Sequence, residues 1–282
     1  MNRKTFIYSF LLGTGGVFTH GLNITAMNTS KGEILVKMIY NNTGSANGLK
    51  NAWGLSAWID DAGDITLFDT GGDPEVLEHN LSELGLDASK INRIIISHDH
   101  WDHNGGIQRV LSMLRKPTDL YIVGKHREEY EEKYPEAKVA GIEKPAKITG
   151  HIWTTGALST SYKGNALHEQ SVIITNQDAM LLLTGCSHPG IVKIAERALE
   201  IHPDKRLELV TGGFHLMRAP KKEVEKISGE LMDLGISRIA PSHCTGDRSI
   251  KIFRENWGDR FIEMNLGDTA VFHHTREVRI SH

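Results

Sequence analysis

One decapeptide limits what this chain can become: Ser97-His98-Asp99-His100-Trp101-Asp102-His103-Asn104-Gly105-Gly106. Three histidines and two aspartates fall within six positions, directly after the apolar run Ile94-Ile95-Ile96. That run reads as a buried strand. His98 and His100 are two apart, so in an extended segment they point to one side. Asp102 and His103 follow after the chain has begun to turn, and they face a second point nearby. Gly105-Gly106 permits a tight entry into a helix. So many charged and titratable groups would be costly to hold together without a cation. Imidazole and carboxylate without thiolate suit zinc, manganese or iron. A metal-binding loop between a core strand and a helix is therefore expected.

Composition excludes several alternatives. Of 282 residues, 39% are hydrophobic and 24% charged, which is globular rather than disordered composition. A net charge of -3 argues against a general nucleic-acid binder. Two cysteines make neither a disulfide scaffold nor a four-cysteine zinc site. Beyond the N-terminus no apolar run is long enough to span a bilayer, so no stable membrane insertion is expected.

Residues 1–30 read as a signal-like segment. Asn2-Arg3-Lys4 is basic, Phe6 to Phe18 is apolar but broken by glycines, and Ile24-Thr25-Ala26 ends on a small residue. This is the layout of an export signal. Arg3-Lys4-Thr5-Phe6-Ile7 resembles the twin-arginine motif, with lysine in the second basic place. The expectation is an exported, periplasmic protein; the alternative is a docked arm on a cytoplasmic one.

Residues 31–282 read as a single domain. Strands are expected at 33–40, 52–59 and 65–68, the last two a hairpin across the Asp60–Asp64 turn. Asp73-Pro74 starts a helix that stops at Gly85. Further strands are expected at 93–97 and 120–123, with helices at 105–114 and 126–134. The stretch 125–170 has few periodic signals and reads as a lid or insert. The second half repeats the rhythm, with strands at 171–175, 180–184, 207–211 and 238–240. Helices fall at 190–201, 222–234 and 247–257. Two short strands around Phe261 and Val271 close the chain. Two β-rich halves with their own helices imply two sheets face to face with helices outside.

The segment His98-x-His100-x-Asp102-His103 after a buried strand resembles the signature of the metallo-β-lactamase fold superfamily. The resemblance extends over most of residues 33–275. Phe68-Asp69-Thr70-Gly71-Gly72 resembles the family's first motif, whose aspartate buttresses the metal loop. Thr184-Gly185-Cys186-Ser187-His188-Pro189-Gly190, Gly212-Gly213-Phe214-His215 and Pro241-Ser242-His243-Cys244-Thr245-Gly246 follow in order. These resemble the branch containing the dihydropterin/ribofuranosylaminobenzene-phosphate synthases. The resemblance implies an αββα sandwich of two mixed β-sheets with outer helices. It also implies two divalent metal ions, zinc first, with manganese or iron as alternatives. One metal takes His98, His100 and His188; the other takes Asp102, His103 and His243.

One departure stands out. Most members bridge the metals with an aspartate at a strand end, but Thr184-Gly185-Cys186 and Thr211-Gly212-Gly213 offer none. Either Cys186 bridges as thiolate or a hydroxide does so alone; the plainer reading of Cys186 is a small buried residue. His215 is a ligand, a substrate contact or a proton donor, with the last two ranked first. His168 is a weaker ligand candidate. Asp99 is expected to orient His98 or His100, Asp69 to act similarly, and Trp101 to reach substrate.

The leading function is a metal-dependent hydrolase acting on a small-molecule ester, phosphoester or lactone. A metal-activated hydroxide would attack, with Asp102 and His215 in the catalytic roles. The alternatives are a synthase-type transferase, a non-catalytic metal-binding scaffold, and a single-iron oxidoreductase.

Overall fold

The computed structural model describes residues 33–273 and 278–282. The signal-like segment lies outside the described residues.

Ile34, Val36 and Met38 alternate inward along β1 (Glu33–Tyr40). The Ala62-Gly63 turn joins β2 (Ser56–Asp61) to β3 (Asp64–Phe68) as a hairpin. Helix α1 (Pro74–Glu83) begins as its sequence dictates, with the Asp73 carboxylate accepting from the N–H groups of Glu75 and Val76. Then come β4 (Ile91–Ile95), α2 (Trp101–Asn104), α3 (Ile107–Met113), β5 (Asp119–Val123), α4 (Arg127–Lys133) and β6 (Lys138–Ile142). Strands β3 to β6 run parallel, with helices crossing between them.

The stretch 125–170 divides between layers. β6 is built into the first sheet, while β7 (Ala146–Lys147) and β8 (Ile152–Thr154) edge the second. Only β9 (Leu158–Tyr162) and β10 (Asn165–Glu169) stand apart, as a two-stranded hairpin turning at Lys163-Gly164. Periodicity could not show this, because β6 is largely half-buried and β7 has two residues.

The second half supplies β11 (Val172–Thr175), β12 (Ala179–Thr184), α5 (Ile191–Ile201), β13 (Arg206–Gly213), α6 (Lys221–Asp233), β14 (Arg238–Ser242) and α7 (Asp247–Trp257). β12 is buried along its whole length, as befits a strand covered on both faces. The chain closes with β15 (Thr269–His273) and β16 (Val278–Ser281). The expected strand at Phe261 is instead an isolated bridge to Ile239. β15 returns to pair antiparallel with β1, so the two sheets do not coincide with the two halves of the sequence.

The first sheet runs β16-β15-β1-β2-β3-β4-β5-β6 and the second β14-β13-β12-β11-β8-β7. Between them lies an apolar layer including Val36, Ile59, Phe68, Val172, Leu181 and Leu209. A second apolar layer seats α5, α6 and α7 on the second sheet, and a third seats α1, α3 and α4 on the first. This is an αββα sandwich. Among the described residues no helix is long and apolar enough to cross a membrane.

Candidate metal centre

The loops leaving β3, β4, β12, β13 and β14 carry the chemistry. Among the described residues six non-glycine residues have positive φ, and four of them lie here: Asp69, Ser187, His215 and His243. The other two, Ala62 and Lys163, occupy hairpin turns. Left-handed backbone at non-glycine residues costs free energy and persists where surrounding contacts impose it.

Asp69 is fully buried and organises the loop after β4. One carboxylate oxygen accepts from the Ser97 N–H at 2.7 Å. The other faces the Ser97 hydroxyl at 2.8 Å and His103 Nδ1 at 2.7 Å. An ionised carboxylate only accepts, so the hydroxyl proton goes to Asp69. The same hydroxyl lies 2.9 Å from His98 Nδ1, which must therefore donate to it. Asn42 Oδ1 lies 2.6 Å from His243 Nδ1. Three imidazoles are thus held at Nδ1, leaving Nε2 free to face the site.

Two overlapping groups of ligand atoms gather the motif residues with the later histidines. Asp102, His103, Cys186 and His243 bring one atom each within 4.8 Å of one another, and so do His98, Cys186 and His188. His100 Nδ1 sits 3.0 Å from His98 Nε2, and its ring centroid lies 4.9 Å from that of His188. Asp102 Oδ2 lies 3.7 Å from His103 Nε2 and 3.5 Å from His243 Nε2, and it accepts from Trp53 Nε1 at 2.8 Å. His188 Nε2 and His243 Nε2 are buried without a hydrogen-bond partner. Buried polar atoms are rarely left so, and both aim into the cluster. The donor set fits divalent cations.

The electrostatics differ across the cluster. Burial, then the neighbouring imidazoles, hold His98 well below the usual histidine range. Burial, with His215, His100 and His103, takes His188 down to about 3. Burial also opposes charge on His103, but the Asp69 carboxylate outweighs it and, with Asp102, lifts that imidazole to about 9. Asp102 is lowered despite its burial, because His243 and His103 favour its charge. Neutral imidazoles therefore occupy one side and two carboxylates support the other.

Glu169, at the end of β10, shapes the third loop. It accepts from the N–H groups of Cys186, Ser187 and His188 at 2.9, 2.7 and 2.7 Å. Burial raises its carboxyl to about 7 against the pull of those amides.

The mouth is a cleft of 220 Å³ lined by Trp53, Trp101, Tyr162 and Lys163 together with His100, His188 and His215. Among the described residues the exposed large apolar side chains are Trp53 at 39%, Trp101 at 63% and Met217 at 45%. Two of them wall this cleft, and hairpin β9-β10 brings Tyr162 and Lys163 over it.

The structure brings together all six residues assigned to metals by resemblance, and places exposed His215 with its ring 4.1 Å from that of His188. His168 pairs with Ser159 on the hairpin and joins neither group. Asp99 does not orient His98 or His100. It accepts from Asn104 Nδ2 and the Tyr130 hydroxyl, each at 2.7 Å, because its side chain turns away toward α4. Asn42, Ser97 and Glu169 were not foreseen. Ser97 adjoins the motif and was within reach of sequence reasoning; Asn42, 201 positions from His243, carries no local signal.

Residues 54–243 match the sequence profile of the metallo-beta-lactamase superfamily. The chain is 25% identical over 249 residues to a 7,8-dihydropterin-6-methyl-4-(beta-D-ribofuranosyl)-aminobenzene-5'-phosphate synthase of Methanocaldococcus jannaschii, covering 73% of this chain and 84% of the relative. A crystal structure of a metal-dependent hydrolase of the beta-lactamase superfamily aligns with TM-score 0.69 and 25% identity, over 84% of this chain and 98% of the other. The metallo-beta-lactamase fold protein YhfI from Bacillus subtilis aligns with TM-score 0.63 and 15% identity, over 86% and 100%. That last likeness concerns the fold alone.

Proposed function

The chain belongs to the metallo-β-lactamase superfamily, and from that premise we propose that it is a dinuclear metal-dependent hydrolase of small-molecule esters, phosphoesters or lactones. The carrying observation is the pair of orphaned, buried ring nitrogens, His188 Nε2 and His243 Nε2, each completing one of two adjacent ligand groups. His98, His100 and His188 would hold one cation, and Asp102, His103 and His243 the other. Two zinc ions there would supply a nucleophilic hydroxide at neutral pH and polarise the substrate's electrophilic oxygen.

The chain's own residues do the rest. Asp69 and Ser97 keep His103 and His98 in the ligating tautomer. Trp101 and Trp53 offer apolar faces to substrate, and the β9-β10 hairpin serves as the lid. His215, exposed beside His188, is placed to give a proton to the leaving group.

A second reading, a synthase-type transferase, is favoured by the methanogen relative, whose length this chain covers to 84%. Elemental analysis of purified protein, paired with small ester, phosphodiester and lactone substrates, tests the hydrolase. About two zinc per chain with turnover on one class supports it. A metal-loaded protein inert on all three refutes it and favours transfer.

A further inference from the structure

The metal centre proposed above lacks an anion between its two halves. Asp102 belongs to one group only, and the other holds no carboxylate. Two divalent cations so close together repel, and a buried site without negative charge between them would be poorly compensated.

Among the described residues no further carboxylate is placed to help. Both Glu169 oxygens are occupied by the amides of residues 186–188. Asp69 is held by Ser97 and His103. At the end of β13, a Cβ on Gly213 would lie 2.7 Å from Cys244 Sγ, so that strand end has no room for a side chain.

Cys186 Sγ alone belongs to both groups. It lies within 4.8 Å of the ligand atoms of Asp102, His103 and His243, and equally of those of His98 and His188. It sits 3.2 Å from His103 Nε2. Glu169 fixes this placement by holding the Cys186 and Ser187 amides, with Ser187 in the left-handed region at φ 64°.

We propose that Cys186 Sγ, as thiolate, is the ligand shared by the two metals. The inference rests on the dinuclear reading. On binding, the S–H bond breaks heterolytically, the proton leaves to solvent and the sulfur's electron pairs form two metal bonds; nothing is oxidised. Sulfur is large and polarisable enough to serve two cations. Cys244 is the internal control. Its Sγ groups with Cys186 and His215 but with neither metal group, and its thiol faces the Cys186 carbonyl at 3.5 Å.

The test is cobalt(II) titration of the full chain after chelation, since zinc has no d–d spectrum. The thiolate-to-cobalt band in the near ultraviolet and X-ray absorption of the loaded protein are the readouts. Expected are two equivalents bound, a band growing over both, and about one sulfur neighbour per cobalt. The band should vanish in Cys186→Ser and persist in Cys244→Ser. The wild-type sulfur count stands even if Cys186→Ser does not fold. Two equivalents with no sulfur, or with one sulfur for every two cobalts, overturn the shared thiolate and leave the dinuclear reading intact. Loss of the band in Cys244→Ser with retention in Cys186→Ser also overturns it. Fewer than two equivalents refute the dinuclear reading, and the sharing with it.

Discussion

Asp69→Asn separates the electrostatic role of the buried carboxylate from its shape. Asparagine has the same outline and tolerates the left-handed backbone at φ 55°, so backbone strain is not added. The change replaces one acceptor oxygen with an NH2 group. If nitrogen takes the Oδ2 place, it confronts the His103 Nδ1 proton; if it takes the Oδ1 place, it confronts the Ser97 N–H. Either way at least one buried donor loses its partner, at a cost of about 1–3 kcal/mol. For a chain of this size, about 2 kcal/mol lowers Tm by roughly 4–8 °C. The metal effect is separate. Without the carboxylate behind His103, affinity at the Asp102-His103-His243 position should fall about 10–100-fold. Melting with excess chelator isolates the first effect, and equilibrium dialysis against zinc measures the second. A variant that melts within about 1 °C of wild type, with unchanged affinity for both metals, would show Asp69 to be a spacer and refute this reasoning.

Other expectations follow from the same geometry. His103→Ala should lower bound metal from about two ions to one or fewer, and full occupancy by elemental analysis would sink the second-site assignment. Asp102→Ala should reduce turnover on an accepted substrate by on the order of a hundredfold or more, while melting with excess metal shifts modestly. Near-normal turnover there would favour a single-metal site on His98, His100 and His188. Deleting residues 1–26 should leave a soluble, metal-binding protein, because the segment reads as a signal rather than core; an insoluble or metal-free product would make it structural.

What the sequence determined by itself was whatever is local. Alternating apolar residues set β1, the Asp73-Pro74 cap set the start of α1, and the helix expected near 247–257 is α7. These elements follow from backbone propensity and burial over a few neighbours. The compact histidine-aspartate motif was legible because its residues share one loop. Its partners His188 and His243 were legible only through resemblance to a family.

The tertiary structure decided whatever joins distant segments. The C-terminal strand β15 pairs with β1 and carries β16 into the first sheet with it, because hydrogen bonding along a sheet edge carries no local sequence pattern. Asn42 meets His243 across 201 positions, and Glu169 gathers three amides of a loop beyond two further strands. Asp99 lies between two ligands, yet a bend at residues 98–99, ahead of α2, turns it toward Tyr130, so sequence adjacency misjudged its direction. Cys186 read from the sequence either as a bridging thiolate or as a small buried residue, and it is buried; which ligand atoms its sulfur approaches only the structure shows. Where its sulfur points is fixed by Glu169 and by the backbone of Ser187, and that direction exists only once both sheets have closed on the same edge.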